Sequence, residues 1–186
     1  QKFDSNGNFI TTWGTNGTGP GQFIEHEDLV ADNAGNIYVV DPQNARVQKF
    51  DSNGNFITAW GTTGSGDGQF DNPRGVAVDS SGDVYVADWG NRRVQIYSSD
   101  GSFLTTLFGD ATDLSRWQEE TVNASPDVVK AWRRAAPEMK AFSPKFHRPV
   151  DIYIDKYDTI MVVESNRFRI QVYKKIKDYV DAQLNL

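Results

Sequence analysis

The 186-residue sequence contains no cysteine. Disulfides, thiolate metal sites and cysteine nucleophiles are excluded with it. A chain without thiols suits oxidising and reducing compartments alike, and an extracellular or periplasmic setting is slightly favoured. No apolar run approaches the length a helix needs to cross a bilayer, so membrane insertion is not expected. The N-terminal residues do not resemble a secretory leader, and Gln1 falls in mid-repeat. A basic excess is also missing: 19 Lys and Arg stand against 25 Asp and Glu, a net charge of −6. Phosphate backbones are met by a basic footprint, so nucleic acid is not an expected partner. Histidine is scarce, with only 2 in the chain. That scarcity limits imidazole-based metal sites and acid–base chemistry.

What is present is repetition. Hydrophobic residues make up 38% and aromatics 12% of the chain. That is enough to build a core. From Phe70 to Gly109, four short runs rich in Val, Ile, Tyr, Phe and Thr alternate with clusters of Gly, Asp, Asn and Ser. Apolar side chains recur at every second position, the signature of strands joined by turns. A four-stranded unit of about 40 residues cannot bury its faces alone and calls for copies of itself. Gln1-Lys2-Phe3-Asp4-Ser5-Asn6-Gly7-Asn8-Phe9-Ile10-Thr11 recurs, residue for residue, as Gln48 to Thr58. Asp32, Gly35, Tyr38, Asp41, Asn44, Arg46 and Gln48 reappear as Asp79, Gly82, Tyr85, Asp88, Asn91, Arg93 and Gln95. A last copy begins at Phe146, much further from Phe70 than one repeat period, which implies an insertion between them.

The register divides the chain into a half unit at 1–22, carrying third and fourth strands, and full units at 23–69 and 70–110. An insertion follows at 111–141, then a unit at 142–175 without its fourth strand, and a tail at 176–186. Within the insertion, Ser125-Pro126-Asp127 is a helix start, with a capping serine, proline at the first position and a carboxylate in the first turn. Val128, Val129, Trp132 and Ala136 share one stripe of that helix, so the insertion reads as a helical hairpin.

Asn72 to Tyr97 resembles the NHL repeat. It carries Pro73-Arg74-Gly75-Val76-Ala77-Val78-Asp79, Gly82-Asp83-Val84-Tyr85-Val86-Ala87-Asp88 and Asn91-Arg92-Arg93-Val94-Gln95. The resemblance covers 1–109 and about 142–173. It implies an all-β fold of NHL-type β-propeller blades, four-stranded antiparallel repeats of about 47 residues, arranged here as a partial propeller or half-ring. NHL propellers commonly have six blades, so a second chain or further blades would complete this one. The family spans peptide-amidating lyases, lyases of cyclic peptide antibiotics, RNA-binding regulators and sensor domains of bacterial kinases. The amidating lyases hold zinc on several histidines, a set that two histidines do not reproduce.

The recurring pairs Asp41/Arg46, Asp88/Arg93 and Glu164/Arg169 invite an acid–base reading. A catalytic device is rarely repeated identically, whereas a structural ion pair recurs in every copy, so these are read as structural. Asp32, Asp79 and Asp155 are expected to bond turn amides. Asp4 to Gly7 and Asp51 to Gly54 are hairpin turns rather than calcium loops. Gly14–Gly21 and Gly61–Gly68 are inter-blade connections. Function belongs where the copies differ, on the face shared by the segment before each first strand and the turn after each second strand. The candidate ligand-binding residues there are Glu25, His26, Arg74, Trp89, Arg92, His147 and Arg148, with no catalytic and no metal-ligating residue assigned. The expected function is a non-catalytic binding or scaffold module engaging a protein, peptide or carbohydrate. The alternative is a metal-assisted lyase or hydrolase centred on His26, His147 and nearby carboxylates, with calcium or zinc the only cofactors left open.

Overall fold

The computed structural model describes residues 1–109, 146–165 and 169–175. Alternating apolar residues dictate strands, and Asp- and Gly-rich turns fold them back antiparallel. The first hairpin is β1 (Lys2–Phe3) with β2 (Phe9–Thr11), followed by a small parallel pair, β3 (Thr15–Asn16) with β4 (Gln22–Phe23). The first full blade is β5 (Leu29–Ala31), β6 (Ile37–Asp41), β7 (Arg46–Phe50) and β8 (Phe56–Trp60), hydrogen-bonded in that order. A second parallel pair, β9 (Thr62–Thr63) with β10 (Gln69–Phe70), leads to the second blade. That blade is β11 (Pro73–Val78), β12 (Val84–Asp88), β13 (Arg93–Tyr97) and β14 (Phe103–Leu107). The third described blade has three strands, β15 (Pro149–Ile154), β16 (Thr159–Glu164) and β17 (Arg169–Lys174).

The helical hairpin expected at 111–141 and the tail at 176–186 lie outside the described residues. The described residues hold no α-helix, only a single 3-10 turn at Pro42–Asn44, and lend the hairpin no support. Among them, β2 pairs with β1 and not with the third blade.

The core sits between blades. One cluster joins Tyr38, Val40 and Val47 of the first blade to Phe70, Val76, Val84, Val86 and Tyr97 of the second. Another joins Ala77, Tyr85, Ala87, Val94 and Ile96 of the second to Phe146, Ile152, Ile160, Val162 and Tyr173 of the third. The middle blade is therefore apolar on both faces, and a blade is stable only against neighbours. Inner strands β5, β11 and β15 run alike, so residues one repeat apart become neighbours. Gly75 shows how close they come: a Cβ there would lie 2.7 Å from Asp151 Cα.

Two further devices tie blades together. Lys49 Nζ donates to the carbonyl of Ser99 at 2.7 Å, as Lys2 Nζ does to that of Ser52 at 2.7 Å. Trp60 and Tyr97 pack with ring centres 5.7 Å apart, the counterpart of Trp13 on Phe50 at 6.3 Å.

Candidate functional site

The repeated Asp/Arg pairs are structural and extend beyond the turns. Asp88 Oδ2 accepts from Arg93 Nε at 2.8 Å, Asn91 Nδ2 at 2.9 Å and Gln95 Nε2 at 3.3 Å. Arg93 then donates from Nη2 to the carbonyls of Gly66 and Gln69, at 2.7 and 2.8 Å. The Gly-rich connection is thus clamped onto the blade. Arg46 does the same for the preceding connection, reaching the carbonyls of Thr18, Gly19 and Gln22. Arg169 pairs with Glu164 in the third blade. A buried charge needs such saturation to be tolerated.

The turn aspartates behave likewise. Asp32 Oδ1 accepts the N–H groups of Ala34 and Asn36, and Asp79 Oδ1 those of Ser81 and Asp83. Asp4 is used the same way by Asn6 and Asn8, at 2.9 and 2.8 Å. Hairpin chemistry accounts for these carboxylates.

The face at the starts of the inner strands is different in kind. Its centre is Trp89, half-buried in the turn after β12. Arg148 from the third blade lies over its ring at 4.3 Å and Arg74 from β11 at 5.3 Å. Both lie within cation–π range. Arg74 Nη1 donates to Glu27 Oε1 of the first blade at 2.6 Å, while its buried Nε finds no acceptor among the described residues. Arg148 and Arg92 adopt left-handed backbone, with φ of 63° and 58°. The Trp89 carbonyl accepts the Arg92 N–H at 3.4 Å, and Arg92 is exposed. Bulky residues adopt that conformation at a cost, and the repeat register sets it here, since the counterparts Ala45 and Asn72 stand at φ 49° and 54°.

Below this cluster, Asp28 bridges blades by accepting the Val76 N–H at 2.9 Å. Burial pushes its carboxyl above the ordinary value, with Asp151 and Glu27 adding to the rise and the Val76 and Leu29 N–H groups opposing it. Neighbouring carboxyl groups resist joint ionisation.

Of the seven residues singled out by sequence, the structure brings Arg74, Trp89 and Arg148 into contact, with Arg92 on the same turn. Glu25 is exposed and accepts from Gln43 Nε2 at 3.1 Å. His147 donates its backbone N–H to Glu164 Oε1. His26 lies elsewhere: its ring stands 6.1 Å from that of Phe23, on a groove of about 380 Å³ lined also by Trp13, Leu29 and Val39. Among the described residues, no group of three or more His, Asp or Glu is placed to hold a metal ion.

Sequence reasoning puts the segments holding Glu27, Asp28 and Asp151 on this face but does not single these three residues out. The signal was available for Glu27, because it and Arg74 are opposite charges at one register position in consecutive repeats.

The NHL repeat family model matches residues 70–97. No curated protein sequence matches the chain. Solved structures of similar fold include dihydro-heme d1 dehydrogenase NirN in complex with DHE, at 11% identity and a TM-score of 0.54, covering 87% of this chain and 28% of that one. A catalytically inactive virginiamycin B lyase from Staphylococcus aureus with quinupristin aligns at 12% identity and a TM-score of 0.51, covering 94% and 48%. A protein of unknown function from Bacteroides caccae gives 10% identity and a TM-score of 0.51, covering 87% and 46%. The chain thus spans under half the length of each. At such identities the likeness is one of fold, and a propeller fold hosts many activities.

Proposed function

We propose, for a chain built of NHL-type β-propeller blades, a non-catalytic binding role in which the loop face around Trp89 holds a peptide, protein or carbohydrate ligand. The observation that carries this reading is the convergence of Arg74, Trp89 and Arg148 from two blades onto one spot. Nothing in blade architecture requires it. The equivalent of Trp89 in the first blade is Pro42, and the equivalent of Arg148 is Glu25. A half-buried tryptophan ringed by arginines has the composition of an interface anchor.

The groove beside His26 belongs to the same account as a partner surface. By the repeat register it is the space that Tyr38, Val40 and Val47 fill at the next blade junction. We assign it to middle-strand residues of a blade supplied by a second chain or by further blades.

The test is a screen of peptide and glycan arrays with the whole chain and its Arg148→Ala variant. The reading predicts ligands held by the wild type and lost, by on the order of tenfold or more, in the variant. Ligands retained equally by both would contradict it. The metal-assisted alternative predicts instead that zinc or calcium raises the melting temperature, and that His26→Ala abolishes the rise.

A further inference from the structure

We infer that the ligand of the Trp89 face presents a carboxylate, which the Arg148 guanidinium receives in its plane while the rest of the ligand rests against the indole. The inference rests on the binding role proposed above and narrows its ligand class.

Arg148 is the key. Its backbone is left-handed at φ 63°, and the same register position in the second blade is Asn72 at φ 54°. Asparagine is among the residues that tolerate this conformation, whereas arginine is held there against preference. What the substitution gains is a guanidinium 4.3 Å from the Trp89 ring centre. The group lies over the ring, and its N–H fork is unclaimed, for Arg148 donates no side-chain hydrogen bond among the described residues. Arg74 also keeps donors without acceptors, since Glu27 takes only Nη1 and the buried Nε has no acceptor among the described residues. Arg92 adds a third charge, exposed and without an ion pair among the described residues.

Arg74 and Arg148 meet at the Trp89 ring with Arg92 on the same turn. Glu27 is the one carboxylate bonded to these arginines among the described residues, although Asp28 and Asp151 lie on the same face. In the blade interior the opposite rule holds, and Arg93 gives its donors to Asp88 and two carbonyls. A planar fork beside an aromatic floor matches a carboxylate joined to an apolar or ring-shaped body, because both oxygens can be met in one plane. Peptide C-termini and uronic acids share that chemistry.

The test follows the Trp89 indole N–H by heteronuclear NMR of the full chain, assigned with Trp89→Phe. The probes are N-acetylphenylalanine and galacturonate, their neutral counterparts N-acetylphenylalanine amide and galactose, and inorganic phosphate. The inference predicts saturable shifts with one or both acids, and the tighter arm names the source. It predicts little response to the neutral pair, and binding weakened on the order of tenfold in Arg148→Lys, which keeps the charge but loses the fork. Arg148→Gln should weaken it further, and an unchanged urea midpoint shows that the variants remain folded. Neutral probes binding as well as the acids would overturn the carboxylate assignment while leaving the binding face intact. Phosphate binding as tightly as the acids, or Arg148→Lys binding as wild type, would also overturn it. If no probe moves Trp89 and array ligands survive Arg148→Ala, the face reading falls as well.

Discussion

Arg74 donates to Glu27 at 2.6 Å, and the two residues hold the same register position in consecutive blades, 47 residues apart. A propeller turns a sequence period into a contact: whatever recurs at one repeat spacing meets on the inner wall. Both side chains are about one-third exposed. The pair should therefore add little stability. A double-mutant cycle with Glu27→Gln and Arg74→Gln is expected to give a coupling of about 1 kcal/mol or less in urea unfolding. A coupling several times larger would show that the pair holds the blades together.

The buried networks should behave differently. Asp88 receives Arg93, Asn91 and Gln95 on one oxygen and the Asp71 N–H, at 2.8 Å, on the other. Asp88→Ala leaves Arg93 buried without its partner and is expected to cost about 3–5 kcal/mol. Asp41→Ala should cost less, since Asp41 Oδ1 is buried without a hydrogen bond among the described residues. Urea midpoints of the two variants compare them directly, and an equal loss would refute the ranking.

Gly75→Ala tests the crowding of the inner strands. The added Cβ would lie 2.7 Å from Asp151 Cα and 3.0 Å from the Val150 carbonyl oxygen, atoms that move only with the backbone. A loss of about 1–3 kcal/mol is expected. At Gly7 the same change meets no atom within 4 Å, and only its φ of +82° opposes it. The loss there should be about 1 kcal/mol. The difference would show in thermal unfolding.

Two aspartates of the first blade should titrate on opposite sides of the ordinary 3.8. Burial raises Asp28 above it. Burial also acts to raise Asp32, but the Asn36 amide, the Asn36 N–H and the Tyr38 hydroxyl outweigh it and bring Asp32 below 3.8. For Asp28 the native state holds the proton more tightly, so its contribution to stability falls as pH rises from the ordinary value through its native midpoint. For Asp32 the contribution is present above the ordinary value and is lost as pH falls through its lower midpoint. Carboxyl-carbon shifts followed against pH read both midpoints, and a reversed order would contradict the assignment.

Much of this fold was legible because strand period, turn chemistry and repeat period all agree. Val84-Tyr85-Val86-Ala87-Asp88 has the composition of a strand, and the Asp79 to Asp83 segment marks the turn before it. The identical Asp/Arg spacing in successive copies marked those pairs as structural. Their reach was not legible, because the carbonyls of Gly66 and Gln69 are placed by the path of the loop. The repeat register puts Trp89, Arg74 and Arg148 on one face, but the contact of the two guanidinium groups with the indole was hidden. Arg148 stands far beyond Trp89 in the chain, with the insertion between, and only the packing of the third blade on the second brings them together. The two histidines share a pre-strand segment by sequence, yet His26 borders an apolar groove while the His147 backbone is fastened to Glu164.

The proposed binding face lies where the inner strands begin. Amide and indole shift mapping by NMR, with a ligand recovered from the arrays, tests it most directly. The account predicts perturbations clustered at 72–75, 89–92 and 147–151, with Trp89 moving most. Perturbations clustered instead around Asp32, Ser80 and Asp155, which line the groove at the opposite ends of the same strands, would contradict it.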